Sequence, residues 1–259
     1  MSAAVLQGGF ELLDVAVKYG QVKALQAVSL NVKPGEAVAL VGPSGAGKTT
    51  LLRLLNGAAI PAHGRVSVAG TELGDLSPAD LRHLRSGIGF VHQDLRLVPN
   101  LRVSQNVMSG RLGRLSLWQS ARMFLRPPAA ELEAVHRLLE RVGIADQMYQ
   151  RVDRLSGGQA QRVAIARALH QSPRILLADE PVASVDPARA ADLLALLTGI
   201  CAEEGLTLVV SLHSPELARR YFSRLVGLRA GQIVFDTPAG AVNDQQLADL
   251  YDLEADREL

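Results

Sequence analysis

The sequence predicts an α/β protein in which a parallel sheet is covered on both faces and interrupted by a block of helices. Three observations carry this expectation. Short, nearly continuous apolar runs such as AVALVG, RILLADEP and LTLVVSLH alternate with helical stretches, the pattern of strands buried on both sides. A glycine-rich loop ending in Lys-Thr lies between the first of these strands and a helix. Between residues 100 and 153 the apolar period becomes helical throughout.

In chain order, FELLDVAVKY (10–19) and ALQAVSLNV (24–32) read as strands, and PGE (34–36) turns into the buried strand AVALVG (37–42). After the glycine loop, KTTLLRLLNG (48–57) is a helix closed by Gly57. GRVSVAG (64–70) is a short strand. SPADLRHLR (77–85) is a helix with Ser77 as N-cap and Pro78 at its first position, where no backbone N–H is needed. GIGFVHQ (87–93) returns to strand. VSQNVMSGRL (103–112), SLWQSARMFL (116–125) and AELEAVHRLLERVGI (130–144) are helical, with Pro127-Pro128 separating the last two. In the third, Leu132, Val135, Leu138, Leu139 and Val142 share one face. LSGGQAQRVAIARAL (155–169) is a helix entered through a Ser-Gly-Gly turn. Strand 174–181, helix 187–204, strand 206–213, helix 214–222 and strands 224–230 and 232–236 follow. The last twenty residues read as a short helix and a frayed acidic end.

Composition narrows the class. The 259 residues are 48% hydrophobic, enough for one large domain or a domain with a sub-lobe. A net charge of +1, with the charges mixed along the chain, argues against a nucleic-acid-binding stripe. The single Cys201 excludes an intramolecular disulfide and reads as a buried helix residue. The first fifteen residues lack the basic and apolar regions of a signal peptide, and no run approaches the ~18 apolar residues that span a bilayer. A membrane role would therefore come through a partner.

Two motifs carry phosphate chemistry. GPSGAGKTT, spanning Gly42, Pro43, Ser44, Gly45, Ala46, Gly47, Lys48, Thr49 and Thr50, fits G-x-x-x-x-G-K-[ST] in its strand–loop–helix setting. Its glycines let backbone N–H groups face phosphate oxygens, Lys48 would bridge the β- and γ-phosphates, and Thr49 would offer a hydroxyl to Mg²⁺. ILLADEP places Asp179 to hold the metal's shell and Glu180 toward the attacking water, as base or orienting group. An acidic pair alone is ordinarily a solvated strand end; beside a phosphate loop it marks a P-loop NTPase.

The Ser-Gly-Gly turn at 156–158 is a second anion-binding feature, because free N–H groups and the positive helix end converge there. With LSGGQ in place, the chain resembles the ATP-binding-cassette (ABC) ATPases over nearly its whole length. That resemblance implies a RecA-like P-loop core, an N-terminal antiparallel β-subdomain and an inserted α-helical subdomain. The expected limits are 1–95 and 160–238 for the core, 96–159 for the helical part with the signature, and 239–259 for a tail. It further implies that Tyr19 stacks on adenine and that Gln93 reaches Mg²⁺ and the attacking water. His213 would bond the γ-phosphate and hold Glu180 in line, and Asp186, in Ser184-Val185-Asp186, would communicate across a dimer. LSGGQ has no lysine, so Ser156, Gly157, Gly158 and Gln159 would complete the ATP site of a second copy. Two copies head to tail would then enclose two ATP molecules.

One cassette without zinc-spaced cysteines or heptads fits a separate subunit docked on transmembrane permease subunits, with 94–99 lining the groove for a permease helix. The insert NVMSGRLGRLSLWQSARMFLRPP and the stretch VVSLHSPELARRYFSRLVGLRAGQIVFD are similar to ATPase subunits of bacterial phosphonate importers. The resemblance thus implies uptake of phosphonate or a related phosphorus oxyanion, a periplasmic solute-binding protein acting indirectly, and a peripheral place on the cytoplasmic face of the bacterial inner membrane. A soluble ABC ATPase serving a regulatory or assembly complex, or an importer of another solute, would carry the same motifs.

Overall fold

The computed structural model describes residues 8–183 and 185–252. Ser184, the expected lack of a leader at residues 1–7 and the frayed acidic end lie outside the described residues. The elements run β1 (Phe10–Tyr19), β2 (Val22–Val32), β3 (Ala37–Val41), α1 (Lys48–Leu55), β4 (His63–Val68), β5 (Thr71–Glu72), α2 (Pro78–Ser86) and β6 (Ile88–Val91). They continue α3 (Val103–Met108), α4 (Leu117–Leu125), α5 (Ala129–Arg141), α6 (Gly157–His170), β7 (Ile175–Asp179), α7 (Pro187–Glu204), β8 (Thr207–Leu212), α8 (Pro215–Tyr221), β9 (Arg224–Arg229), β10 (Gln232–Pro238) and α9 (Asp244–Tyr251).

Alternation along the strands explains the sheet that positions the site. Val38, Leu40, Ile175, Leu177 and Val209 face α1 and the N-terminal strands. Ala39, Leu176, Ala178, Leu208 and Val210 face α6, α7 and the inserted helices. Both faces are dry, so both positions of the period-2 repeat are apolar and the strands read as continuous runs. The six strands lie in the order β10-β9-β3-β8-β7-β6. β6, β7, β8, β3 and β9 are mutually parallel, whereas β10 runs antiparallel at the edge, a departure from an all-parallel sheet. The reason is local: Ala230 and Gly231 both have positive φ, which closes a tight hairpin and leaves no chain for a crossover.

The second sheet, β2-β1-β4-β5, is antiparallel and buries Phe10, Leu12, Val15 and Val17 against the same core as α1. β5 is a two-residue strand that the sequence pattern did not reveal. Among the inserted helices, 103–112 is not one helix. α3 ends at Met108 and a 3₁₀ turn, Ser109–Arg114, follows, with Gly110 against the Arg167 carbonyl so closely that a Cβ would sit 2.2 Å from it. On α5, Val135 and Leu139 are buried and Leu132 and Leu138 pack beside them. Ser77, with Pro78 following, caps α2 by accepting from the Asp80 N–H at 3.2 Å. Burial on α7 pushes the Cys201 thiol up to about 12, which leaves it protonated and inert.

Candidate active site

Strand order decides which loops meet. β8 lies between β3 and β7, so the segments leaving the carboxyl ends of all three strands converge at one edge of the sheet. Register makes this specific: Ser211 on β8 is level with Leu40 on β3 and with Asp179 on β7.

The Gly42–Thr50 loop is shaped by close backbone approaches. A Cβ on Gly42 would stand 2.0 Å from the Leu228 carbonyl, and one on Gly47 would stand 2.7 Å from that of Ala24. Gly45 has φ +82° and open space where a side chain would be. Ala46 is buried, its N–H donating to the Pro43 carbonyl at 3.3 Å, while Ser44 is exposed and Thr50 sits in the first turn of α1. Lys48, only 5% exposed, folds back on the loop and donates to the carbonyls of Gly42 at 2.7 Å and Pro43 at 2.9 Å. Burial lowers its pKa, and the charges of Glu180 and Asp179 oppose that shift.

The hydroxyl of Thr49 donates to Asp179 Oδ1 at 3.1 Å, and the same oxygen accepts from Ser211 Oγ at 2.8 Å. Ser211 Oγ in turn accepts from the Glu180 N–H at 2.9 Å. That contact supports a left-handed Glu180, whose φ of +48° disfavours a side-chain-bearing residue by about 1–2 kcal/mol. The Glu180 carboxylate meets His213 Nε2 at 2.5 Å, with the carboxylate mostly buried and the imidazole half exposed. Tyr251 of α9 closes the floor: its hydroxyl accepts from the Gly42 N–H at 3.2 Å and donates to the His213 carbonyl at 3.3 Å. Burial raises its pKa, so it remains a phenol.

Gln93 is exposed on the loop leaving β6. Beyond it Leu95 and Arg96 both have positive φ, and Arg167 of α6 donates to their carbonyls at 2.7 and 2.6 Å. Tyr19 is exposed at the β1–β2 hairpin. Ser156 caps α6, its Oγ accepting from the Gln159 N–H while Gln159 Oε1 accepts from the Ser156 N–H. Gly157 and Gly158 face open space. Asp186 caps α7 by accepting from the Arg189 N–H at 3.1 Å. Hydrogen bonds and ion pairs thus gather Gly42, Pro43, Lys48, Thr49, Asp179, Glu180 and His213 within one chain; among the described residues none joins them to Tyr19, Gln93, Ser156–Gln159 or Asp186. Ser211, Tyr251 and Arg167 were not anticipated. Ser211 alone had a signal, a polar residue following the apolar run Leu208–Val210 in a buried strand.

Residues 25–183 match the family model of the ABC transporter. The chain belongs to the ABC transporter family. This cassette is 49% identical to the phosphonates import ATP-binding protein of Frankia casuarinae, over 95% of its own length and 94% of the relative's. It is 52% identical to the protein of that name from Anaeromyxobacter dehalogenans over 90% of its own length, and there it spans only 46% of the relative. Among solved structures, the dimeric bacterial ABC transporter cassette MJ0796 superposes with a TM-score of 0.77 at 31% identity, covering 89% of this cassette and 98% of that chain. A post-hydrolysis dimer of the same protein with ADP and Pi gives 0.72 at 32%, with the same coverage of both chains. The cassette is an ATPase, the ATP-binding subunit of an ABC importer, with the P-loop fold of those neighbours. No helix among the described residues is long and apolar enough to cross a membrane.

Proposed function

We propose that the cassette energises uptake of phosphonate or a related phosphorus oxyanion, working as a homodimer on a membrane permease at the cytoplasmic face, with a periplasmic binding protein presenting the solute. The observation that carries the solute class is identity of 44–52% with proteins named for phosphonates import, over at least 90% of this chain. Nothing in the site reads the solute; the choice would lie with the binding protein and permease.

ATP would lie along the Gly42–Thr50 loop, its phosphates facing the loop N–H groups and the N-terminus of α1. Lys48 would leave the Gly42 and Pro43 carbonyls for the β- and γ-phosphates, exchanging neutral acceptors for charged ones. The Thr49 hydroxyl and Asp179 carboxylate, 3.1 Å apart, are a hard oxygen set that suits Mg²⁺ better than a softer metal, with Gln93 reaching in from its loop. When bound, the ion would neutralise charge on the β- and γ-phosphates. Glu180 would orient and deprotonate the attacking water. His213 would hold the Glu180 carboxylate and donate to the γ-phosphate, and Tyr19 would stack on adenine.

The Ser156–Gln159 turn shares no bond with its own phosphate loop, and its glycines face outward. Its N–H groups would serve the nucleotide held by a second copy, with Asp186 beside it. The dimeric state of the 31%-identical MJ0796 cassette supports this arrangement. Deleting the gene should abolish growth on a phosphonate as sole phosphorus source while growth on phosphate persists. Growth restored by the wild-type gene but not by Lys48→Ala, which should weaken ATP binding about tenfold or more, would sustain the reading. Unimpaired growth of the deletion strain would end the solute assignment.

A further inference from the structure

We propose that the outer face of α4 is a membrane-surface site that rests on anionic lipid headgroups. The helix begins at the Ser116 cap and ends before Pro127, and of its nine residues only Met123 is buried in the core. Leu117, Trp118 and Leu125 are 91%, 86% and 81% exposed. At helical spacing these three and Ala121 share a stripe roughly 100° wide. Arg122 and Arg126, both exposed, follow along one edge of that stripe.

This arrangement is costly for a face bathed in water. The chain has one tryptophan, and it stands here beside two fully presented leucines. Residues 109–130 hold Arg111, Arg114, Arg122 and Arg126 with no aspartate or glutamate. Arg111 is engaged by Glu131 and Arg114 by the Ser86 carbonyl, so Arg122 and Arg126 are the cations left on the apolar rim. A tryptophan–leucine face edged by arginines is the composition of a helix lying flat at a lipid surface. Its side chains enter the headgroup region by about 5–10 Å while its cations meet lipid phosphates. At about 14 Å it is far too short to span a bilayer. Arginines beside an apolar stripe, with no carboxylate between residues 109 and 130, complement the negative charge of anionic headgroups.

The 3₁₀ turn that leads into α4 also lines an open groove of about 360 Å³ with Arg96, Arg167 and Phe90. A lipid-resting α4 would therefore hold the Arg96 loop beside the membrane. The proposal is independent of the solute carried and stands or falls on the purified cassette without permease.

Trp118, as the sole tryptophan, reports directly. With vesicles containing phosphatidylglycerol, its emission should shift to the blue and the protein should float with the lipid. Phosphatidylcholine vesicles or high salt should remove both effects. The double variants Arg122→Glu/Arg126→Glu and Leu117→Asp/Leu125→Asp should each weaken partitioning about tenfold or more, with ATP hydrolysis unchanged, which also shows that they fold. The proposal would be overturned by no blue shift at any lipid concentration, by equal binding to neutral vesicles, or by flotation of both double variants at the wild-type level. A shift seen only in membranes that carry the permease would do the same, by assigning this face to a protein.

Discussion

At the scale of residues, Ser211 ties the acidic pair together. One buried hydroxyl donates to Asp179 and accepts from the Glu180 backbone, so the proposed metal carboxylate and the proposed base share a support. Ser211→Ala leaves both groups short of a partner in a dry site. Stability should fall by about 1–3 kcal/mol, measured by urea unfolding, and kcat should fall more than the affinity for ATP. Glu180→Gln should retain ATP binding, lower turnover by about 10²–10⁴-fold and collect as an ATP-bound dimer on size exclusion. Brisk hydrolysis by that variant would remove Glu180 from the role of base. The gathering of Lys48, Thr49, Asp179 and Glu180 was legible because a phosphate loop and an acidic strand end each demand particular residue types at fixed spacings. Ser211 left only the trace of a polar residue in a buried strand, and its meaning comes from the two strands beside it. Asp186 shows the converse: its side chain caps α7, a local task visible in the Asp-Pro spelling as much as any signal between subunits.

Elements carry the connections between distant motifs. α6 begins at the Ser-Gly-Gly turn and, three turns later, presents Arg167 to the carbonyls of Leu95 and Arg96. The loop after Gln93 and the signature helix are thus one mechanical unit. Arg167→Lys should not substitute, because a single ammonium lacks the planar fork that reaches two carbonyls at once. The amides of residues 94–99 should exchange hydrogen faster in this variant, and ATP hydrolysis should respond less to the permease than in the wild type. Amphipathic helices and capped starts were readable from period and N-cap residues, as α2 and α5 show. The 3₁₀ turn after α3, the antiparallel β10 and the two-residue β5 were not, because each follows from a close approach or a tight turn rather than from a repeat.

For the whole molecule, the proposed shared site predicts that catalysis is second order in protein. Ser156→Arg should bind ATP as one copy does yet lose hydrolysis at every concentration, read from rate against protein concentration. Full activity there would sink the head-to-tail arrangement. Acid should weaken the fold. Burial, helped by Arg96 and Arg167, pushes His92 down to about 4, and burial also lowers His170. Between the ordinary histidine pKa near 6.5 and that value the unfolded chain binds the extra protons, so stability falls as pH drops through this window. His92→Phe, which keeps an aromatic ring against Phe90, should flatten the decline of Tm. Finally, the phenol of Tyr251 spans the glycine loop and the segment after β8 from the far end of the chain. A nucleotide settling into that cradle would tug on the closing helix, making α9 a remote gauge of occupancy.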